Sequence, residues 1–279
     1  MRMNRAGVTL TELLVACTLT ALVAGLVLAS LSALQRLTQA QAERSGAAAG
    51  LRTSAQLLYA ELRDLSAAGS GDLLVMAPDQ VVYRAPRASA RACGIAPEGL
   101  LLRDTTFRAL RLPAPGRDTL EVLLPDTLPP NREGWVRAAI VAAPRASICP
   151  DGAPALAVPV AFPGGATPAI REGSPVRTWE VMEIRSYQSG GDTWLGVRSV
   201  TAGEVIQPAA GPLAPAGFAL RFLAPDGSQT ADPARVSRVV VTIVHRRDPD
   251  LAVGGAARAR PGGADSLSVV IRLANGALR

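Results

Sequence analysis

The stretch that decides the fold is GVTLTELLVACTLTALVAGL, from Gly7 to Leu26. It contains one carboxylate, Glu12, at the start of an apolar run that stays free of charge from Leu13 to Gln35. A helix of about 20 residues, rising about 1.5 Å per residue, spans the hydrocarbon core of a bilayer. The run therefore predicts one transmembrane helix over about residues 10–35.

The flanks of the apolar run predict its orientation. Arg2 and Arg5 precede it, and no acidic residue lies before Glu12, so the N-terminus stays in the cytoplasm and the chain after about residue 36 lies outside. A secretory signal peptide also begins with basic residues, but its apolar region is only about 7 to 15 residues long and ends at a small-x-small cleavage site. Ser30-Leu31-Ser32 is a poor match to such a site, so we favour a membrane anchor.

A long helix continues beyond the membrane. All 22 prolines lie at or after Pro78, so no earlier residue breaks a helix by ring clash and loss of an N–H. We predict one helix over residues 8–68, whose second half packs on a soluble domain, with Gly69-Ser70-Gly71 ending it. The small residues of Ser45–Gly50 form either a bend or a close-packing patch. The second half of the predicted helix has one stripe of apolar residues, three or four positions apart, that we expect to be buried: Leu51, Ala55, Leu58, Leu62 and Leu65.

From Leu73 onward, short apolar and β-branched runs alternate with Pro/Gly turns, which is typical of antiparallel strands. The clearest hairpin spans Phe218–Val244, with Pro225-Asp226-Gly227 as turn residues. The sequence thus predicts an α+β protein: a long N-terminal helix packed on a mostly antiparallel β-rich domain over residues 69–279. The predicted strands are Gln80–Tyr83, Thr119–Leu124, Val136–Ala142, Val176–Tyr187, Thr193–Val200, Phe218–Leu223, Val236–Val244 and Ser268–Leu273. The predicted loops are Ala85–Pro97, Pro144–Ala169 and Asp248–Asp265.

The net charge of +6 does not indicate a nucleic-acid partner. Every basic residue is Arg, in a chain crowded with Ala, Gly and Pro, which is typical of a genome-wide coding bias. The arginines are scattered along the sequence and form no basic stripe. We therefore predict no binding to nucleic acid.

The chain has three cysteines, and their positions indicate whether a disulfide is possible in an oxidising compartment. Cys17 lies in the membrane run, whereas Cys93 and Cys149 lie in the outer part of the chain. An oxidising compartment permits a disulfide between Cys93 and Cys149. Two unpaired thiols are the alternative, because the sequence does not show whether the two Cα atoms approach to within about 7 Å.

The sequence lacks the residue patterns of an enzyme, a cofactor site or a metal site. His245 is the only histidine and ends a predicted strand, which excludes a His-rich metal centre. No phosphate loop, nucleophile elbow or Cys-x-x-Cys pair occurs. Asp226 and Asp232 lack the dense oxygen spacing of a calcium site. We expect three tryptophans to lie in the core: Trp135, Trp179 and Trp194.

The N-terminus resembles the class III signal of type IV pilins and pseudopilins. A short basic leader ends in Gly7, and Glu12 then occupies the fifth mature position ahead of the apolar helix. The resemblance implies that prepilin peptidase, an intramembrane aspartyl protease on the cytoplasmic side, cleaves between Gly7 and Val8 and N-methylates the Val8 amine. Most family members carry Phe at this first mature position, so Val8 departs from the pattern.

The resemblance also implies a role for Glu12 in subunit assembly. In filaments of this family, the matching carboxylate meets the N-terminal amine of an adjacent subunit, here that of Val8. A carboxylate that is costly alone in lipid becomes less costly when it is neutralised. The helix dipole also favours an acid in the first turn, by about 0.3 to 1 kcal/mol. The alternative is that Glu12 simply reaches the lipid headgroups.

The hairpin of Phe218–Val244 and the closing SLSVVIRLANG are similar to the C-terminal regions of PilW-like minor pilins and of the J-type pseudopilin of type II secretion. The resemblance implies a pilin-like fold in a single-pass inner-membrane protein whose domain is periplasmic. It implies assembly into a type IV pilus-type filament, near the tip. The implied partners are other minor pilins or pseudopilins, prepilin peptidase, the inner-membrane assembly platform, and lipid before assembly. Two alternatives remain: a secretion pseudopilin, and a membrane-anchored binding module that never polymerises.

Overall fold

The computed structural model describes residues 9–66, 71–124, 134–165, 167–246 and 265–274, apart from the side chains of Glu43 and Arg44. Within these residues one long helix precedes a series of strands. The predicted leader, residues 1–7, and nearly all of the predicted loop 248–265 lie outside them. The helix α1 spans Leu10–Leu62, and the strands are β1 Leu73–Ala77, β2 Gln80–Ala96, β3 Gly99–Arg103, β4 Arg108–Ala109, β5 Thr119–Leu124, β6 Gly134–Ile140, β7 Arg145–Ile148, β8 Pro154–Val158, β9 Val160–Ala161, β10 Pro175–Ser189, β11 Asp192–Ser199, β12 Gln207–Leu223, β13 Arg238–His245 and β14 Ser266–Arg272.

The chain divides into two compact units. One contains residues 1–49 and 247–265, and its described part is chiefly the first, apolar portion of α1. The other contains residues 50–246 and 266–279, which supply the last turns of α1 and all the described strands.

The strands form a large antiparallel sheet. Its main path runs β14-β13-β12-β11-β10-β2-β3-β8-β7, while β1 and β4 pair with β2, β5 pairs with β10, and β6 links β5 to β9. Every pairing between the described strands is antiparallel. The predicted α+β class, a long N-terminal apolar helix followed by an antiparallel β domain, is confirmed.

The predicted loop Ala85–Pro97 is wrong, because this segment is the greater part of β2. Alanines at positions 85, 88, 90 and 92 point into the core and are buried, while Arg84 and Arg91 alternate with them on the other face. Alanine is a weak strand former, so the period-two pattern is hard to detect from sequence. Residues 80–91 of β2 pair with β10 and residues 92–96 pair with β3, so β2 joins two regions of the sheet.

The predicted loop Pro144–Ala169 is also wrong in part, since it contains β7, β8 and β9. These strands are short, and they obtain their hydrogen bonds from β3, from β6 and from each other. Such short strands depend on distant partners more than on their own residues. The predicted hairpin Phe218–Val244 is present as β12 and β13, with Phe218 opposite Ile243.

The helix ends at Leu62 because the chain then tightens into a turn. The N–H of Leu65 donates to the carbonyl of Leu62 at 3.2 Å, and Asp72 fixes the exit by accepting from the N–H of Ser66 at 2.8 Å. Gly71 adopts φ 59°, a conformation that glycine accepts without strain. A Cβ placed at Gly46 or Gly50 would meet no described atom within 4 Å, so nothing in the described part of the chain requires close packing there.

The main core lies between the end of α1 and one face of the sheet. Leu51, Leu58, Leu62 and Leu65 are buried, as their spacing predicts, and they pack with residues of β1, β2 and β10 to β14. Ala55 is only half-buried, whereas Ser54 is buried. The Ser54 hydroxyl is satisfied there because it donates to the carbonyl of Gly50 at 2.7 Å. A second core lies among β2, β3, β5, β6, β8 and β10.

The expected core placement of the three tryptophans is wrong. Trp135 is exposed at 40%, and Trp179 and Trp194 are half-buried. Each tryptophan occupies a strand position whose side chain points away from the core. In a strand with few apolar residues, the sequence alone does not determine which side chains point toward the core. His245 is the last residue of β13, as predicted.

Candidate processing and assembly site

The predicted cleavage and methylation residues, Gly7 and Val8, lie outside the described residues. The description of this end of the chain begins at Thr9, immediately before α1. Cleavage between Gly7 and Val8 and methylation of Val8 therefore stay predictions from the motif.

Glu12 closes a reciprocal cap with Thr9 at the start of α1. The N–H of Thr9 donates to Oε2 of Glu12 at 3.0 Å, and the N–H of Glu12 donates to the hydroxyl of Thr9 at 3.3 Å. The Thr9 hydroxyl also donates to Oε2 of Glu12 at 2.9 Å. This is a capping box, in which two helix-end donors that lack an intrahelical partner are satisfied by side chains.

The cap gives Glu12 a defined position without burying its carboxylate. Thr9 and Glu12 are both exposed, and both hydrogen bonds from Thr9 use Oε2. The carboxylate can therefore receive a further donor from another chain. The spacing Thr-x-x-Glu of Thr9 and Glu12 is the sequence pattern of a capping box. The prediction from sequence overlooked this cap because it considered Glu12 without Thr9.

The first portion of α1 is suited to lipid. Of the described residues, α1 provides one helix that is long and apolar enough to cross a membrane. Its large apolar side chains are exposed. Its hydroxyl groups donate hydrogen bonds to carbonyls of the same helix, as Thr20 does to the carbonyl of Ala16 at 2.7 Å. Such local bonds satisfy polar groups where no water is available.

The end of α1 is tied to the sheet by a polar network as well as by leucines. Tyr83 of β2 donates its hydroxyl to Glu61 at 2.9 Å, and Arg87 of β2 lies 3.3 Å from the other oxygen of Glu61. The Nε of Arg87 also donates to Glu180 of β10 at 3.0 Å. Because Tyr83 and Glu180 are fully buried, the contacts form in a weakly screened region and fix how the helix end lies on the sheet.

Glu180 forms ion pairs with three arginines. Besides Arg87, it accepts from Arg111 at 3.0 Å and from Arg117 at 2.5 Å. Arg111 also pairs with the buried carboxylate of Asp118. These contacts hold the segment between β4 and β5 against β10. The network has a structural role, because its charges are paired with each other.

Cys93 and Cys149 form a disulfide with their Cα atoms 5.7 Å apart. Cys93 lies within β2 and Cys149 directly follows β7, and both are buried with Leu101, Ala155 and Ala157. The bond joins two segments that the sequence reasoning placed in loops. Cys17 is free and exposed on α1.

No cluster of three or more His, Cys, Asp or Glu side chains comes together among the described residues. The two acids considered for calcium each stabilise their own loop: Asp226 accepts from the N–H of Ser228 at 2.9 Å, and Asp232 accepts from the N–H of Ala234 at 3.0 Å. Both carboxylates therefore have local structural roles as turn and cap residues.

Comparison with known protein families gives one match. Residues 2–28 match the family described as Prokaryotic N-terminal methylation motif. No characterised protein sequence and no solved structure matches the chain. The match indicates a type IV pilin-like prepilin signal at the N-terminus of the chain.

Proposed function

We propose that this protein is a minor pilin or pseudopilin that is cleaved between Gly7 and Val8, N-methylated at Val8 and assembled into a type IV pilus-type filament. The observation that carries the proposal is the methylation motif over residues 2–28, placed directly before and within an exposed apolar helix. The β domain that follows accounts for the length of the chain, which exceeds that of usual major pilins.

The proposed course begins in the inner membrane. Residues 10–35 of α1 span the bilayer, residues 1–7 form a cytoplasmic leader, and residues 69–279 form a periplasmic domain. After cleavage, the subunit leaves the lipid and packs its apolar helix against those of neighbouring subunits. The strands at the C-terminus support a PilW-like minor pilin that primes assembly at or near the tip, and a J-type pseudopilin of type II secretion is the second candidate.

Glu12 has the assembly role in this proposal. Its carboxylate is held by Thr9 in the free subunit and can accept the methylated amine of Val8 from a neighbour. Neutralising both charges lowers their cost in an apolar filament core, which favours assembly in one register.

The first test is the mass of the intact protein and its N-terminal peptide, from membranes of cells with and without prepilin peptidase. We expect a chain that begins at N-methyl-Val8 only when the peptidase is present. A chain that begins at Met1 in both strains would overturn the proposal and favour a membrane-anchored binding module.

The second test is assembly of Glu12 variants. Glu12→Gln keeps a side chain that can accept from Thr9 but removes the charge, so we expect normal cleavage and loss from sheared filaments. Glu12→Asp, which keeps the charge, is the matched control and should assemble better than Glu12→Gln. Equal assembly of both variants with the wild type would contradict the role of the carboxylate.

A further inference from the structure

The outer face of the sheet, opposite the main core, carries a layer of stacked arginine and tryptophan side chains. In the register of the sheet, Glu121 of β5 lies opposite Arg137 of β6 and opposite Arg177 of β10. Cross-strand partners share a face, so these side chains lie together on the side away from the core. We call the arginine–tryptophan face the surface formed by Arg84, Glu121, Trp135, Arg137, Arg177 and Trp179.

The side chains of this face hold each other in place. The guanidinium carbon of Arg177 lies 4.3 Å from the ring centre of Trp135. The guanidinium carbons of Arg84 and Arg137 lie 5.0 and 5.6 Å from the ring centre of Trp179. All three distances are within the range of cation–π attraction, about 6 Å. The face is therefore ordered before any partner binds, which lowers the entropy cost of binding.

Among the described residues, this face carries more positive than negative charge. Arg137 and Arg177 share one carboxylate, that of Glu121, at 2.9 and 2.7 Å. Burial would raise the pKa of Glu121, but the hydrogen bonds and charges of Arg177 and Arg137 outweigh it and lower that pKa. Glu121 is thus ionised at neutral pH and offsets only one of the two arginines. The same excess recurs farther along β10.

In that second group, Glu183 of β10 is paired with both Arg185 and Arg198. Glu183 is buried, whereas the two guanidinium groups are partly exposed, so the charge that solvent meets is again positive. The two groups lie on one strand and on one face of the sheet. A partner that covers this face must supply negative charge to both.

From these observations we propose that the arginine–tryptophan face is a docking surface for an acidic surface of another filament subunit, an inference that rests on the proposed function. Trp and Arg are among the residues most enriched at the energetically dominant centres of protein interfaces. The side chain of Arg137 is 52% exposed and Trp135 is 40% exposed, so both can contact a partner. Positive excess on this face is complementary to a partner rich in Asp and Glu.

The geometry favours a protein over a single-stranded nucleic acid. Nucleic-acid sites of that kind present open aromatic rings on which successive bases stack, beside a basic groove. Here two guanidinium groups approach the ring of Trp179 and one approaches the ring of Trp135, so the two rings do not form an open platform for successive bases. The guanidinium edges remain as the groups that select a partner, and carboxylates match their paired N–H geometry.

A photo-crosslinking amino acid at position 135 of the full-length protein in its own cells tests this inference. We expect irradiation to join position 135 to a segment of another filament subunit that is rich in Asp and Glu, identified by mass spectrometry of the linked peptides. The crosslinking residue is aromatic and replaces an exposed Trp, and retention of the Cys93–Cys149 disulfide reports correct folding. The same crosslinker at Val205, which is 75% exposed in the loop between β11 and β12, should not give this adduct.

Charge variants decide whether the arginines select the partner. Arg137→Gln retains donors for Glu121 and should reduce the adduct about tenfold. Arg145→Gln removes an exposed arginine from β7 and should leave the adduct unchanged. An adduct whose yield is unchanged by Arg137→Gln, or one that joins a segment without acidic residues, would overturn the inference.

Other outcomes are equally decisive. An adduct to nucleic acid, polysaccharide or lipid, or to a protein outside the filament, would overturn the proposed partner, as would a lack of adduct. If the chain is methylated at Val8 and recovered in filaments but gives no adduct, this inference fails and the proposed function stands. If the chain is neither cleaved nor recovered in filaments, the proposed function itself fails.

Discussion

The hydroxyl of Tyr83 donates a 2.9 Å hydrogen bond to Glu61, and this bond joins the last turns of α1 to the second strand of the sheet. Burial raises the pKa of Tyr83 well above its ordinary value, and the nearby charge and hydrogen bond of Glu61 act in the same direction. Tyr83 therefore remains a neutral donor. Leucines alone would let a helix slide on an apolar surface, whereas this directed bond specifies where the helix end must lie.

Replacing Glu61 with alanine tests the polar link between α1 and the sheet. Glu61→Ala leaves the Tyr83 hydroxyl buried without an acceptor, so we expect the free energy of unfolding to fall by about 1 to 3 kcal/mol. Urea unfolding of the full-length protein in detergent, followed by tryptophan fluorescence, measures the loss. Asp64→Ala removes an exposed carboxylate paired with exposed Arg63 and should cost less than about 0.5 kcal/mol. Equal losses would show that the link contributes nothing beyond a surface charge.

The apolar part of the same junction gives a second prediction. Leu58 is fully buried against the sheet, so Leu58→Ala should lower the free energy of unfolding by about 2 to 5 kcal/mol, through lost burial and a cavity. Leu74→Ala is the matched control, because Leu74 is 40% exposed on β1. The two substitutions remove the same atoms, and comparing their urea midpoints isolates the effect of burial. A Leu58→Ala variant as stable as Leu74→Ala would mean that the stripe of α1 does not pack on the sheet in solution.

The helix and the last hairpin were predictable because their patterns are local. Leucines three and four residues apart identify the buried stripe of α1, and β-branched runs identify β13. The part of β2 that follows the predicted strand Gln80–Tyr83 was not predictable, because its inward positions are alanines and its outward positions include arginine and proline. Its strand conformation is imposed by pairing with β10, which lies far away in sequence.

The candidate sites divide in the same way. Gly7, Val8 and Glu12 follow from a short contiguous motif, and the cap between Thr9 and Glu12 is likewise a local pattern. The network around Glu180 and the arginine–tryptophan face are assembled from strands distant in sequence, and only the register of the sheet brings their charges together. No spacing rule along the chain could have found them.

The network around Glu180 predicts a dependence of stability on acid. Burial acts to raise the pKa of this carboxyl, but hydrogen bonds from Ser199, Arg87 and Arg111 and the charge of Arg117 outweigh it and lower that pKa. The folded protein then binds the proton less tightly than the unfolded chain does. The resulting stability is complete above the unfolded pKa of about 4.3, and it is lost as the pH falls through the lower folded value.

Urea midpoints measured in steps from neutral pH to about pH 3 follow this loss. Glu180→Gln should be less stable at neutral pH, because it leaves three arginines without their shared carboxylate, and its midpoint should fall less steeply in acid than that of the wild type. Glu172→Gln, in which an exposed carboxylate paired with Arg103 is removed, should keep the slope of the wild type. A Glu180→Gln protein with the unchanged acid slope would show that other carboxyls account for the dependence.

The disulfide between Cys93 and Cys149 predicts a large loss of stability when both cysteines are replaced. It closes a separation of 56 residues and is buried where β2 passes the end of β7. The buried cluster around the disulfide is small and contains, besides the two cysteines, only Leu101 and two alanines among the described buried residues, so the bond supplies much of what orders this end of the sheet. The double variant Cys93→Ser and Cys149→Ser should unfold at lower urea, with a loss of about 2 to 5 kcal/mol. Cys17→Ser, which changes an exposed thiol on α1, should leave the midpoint unchanged, and alkylation of both outer cysteines in the unfolded, unreduced protein would show that no such bond forms.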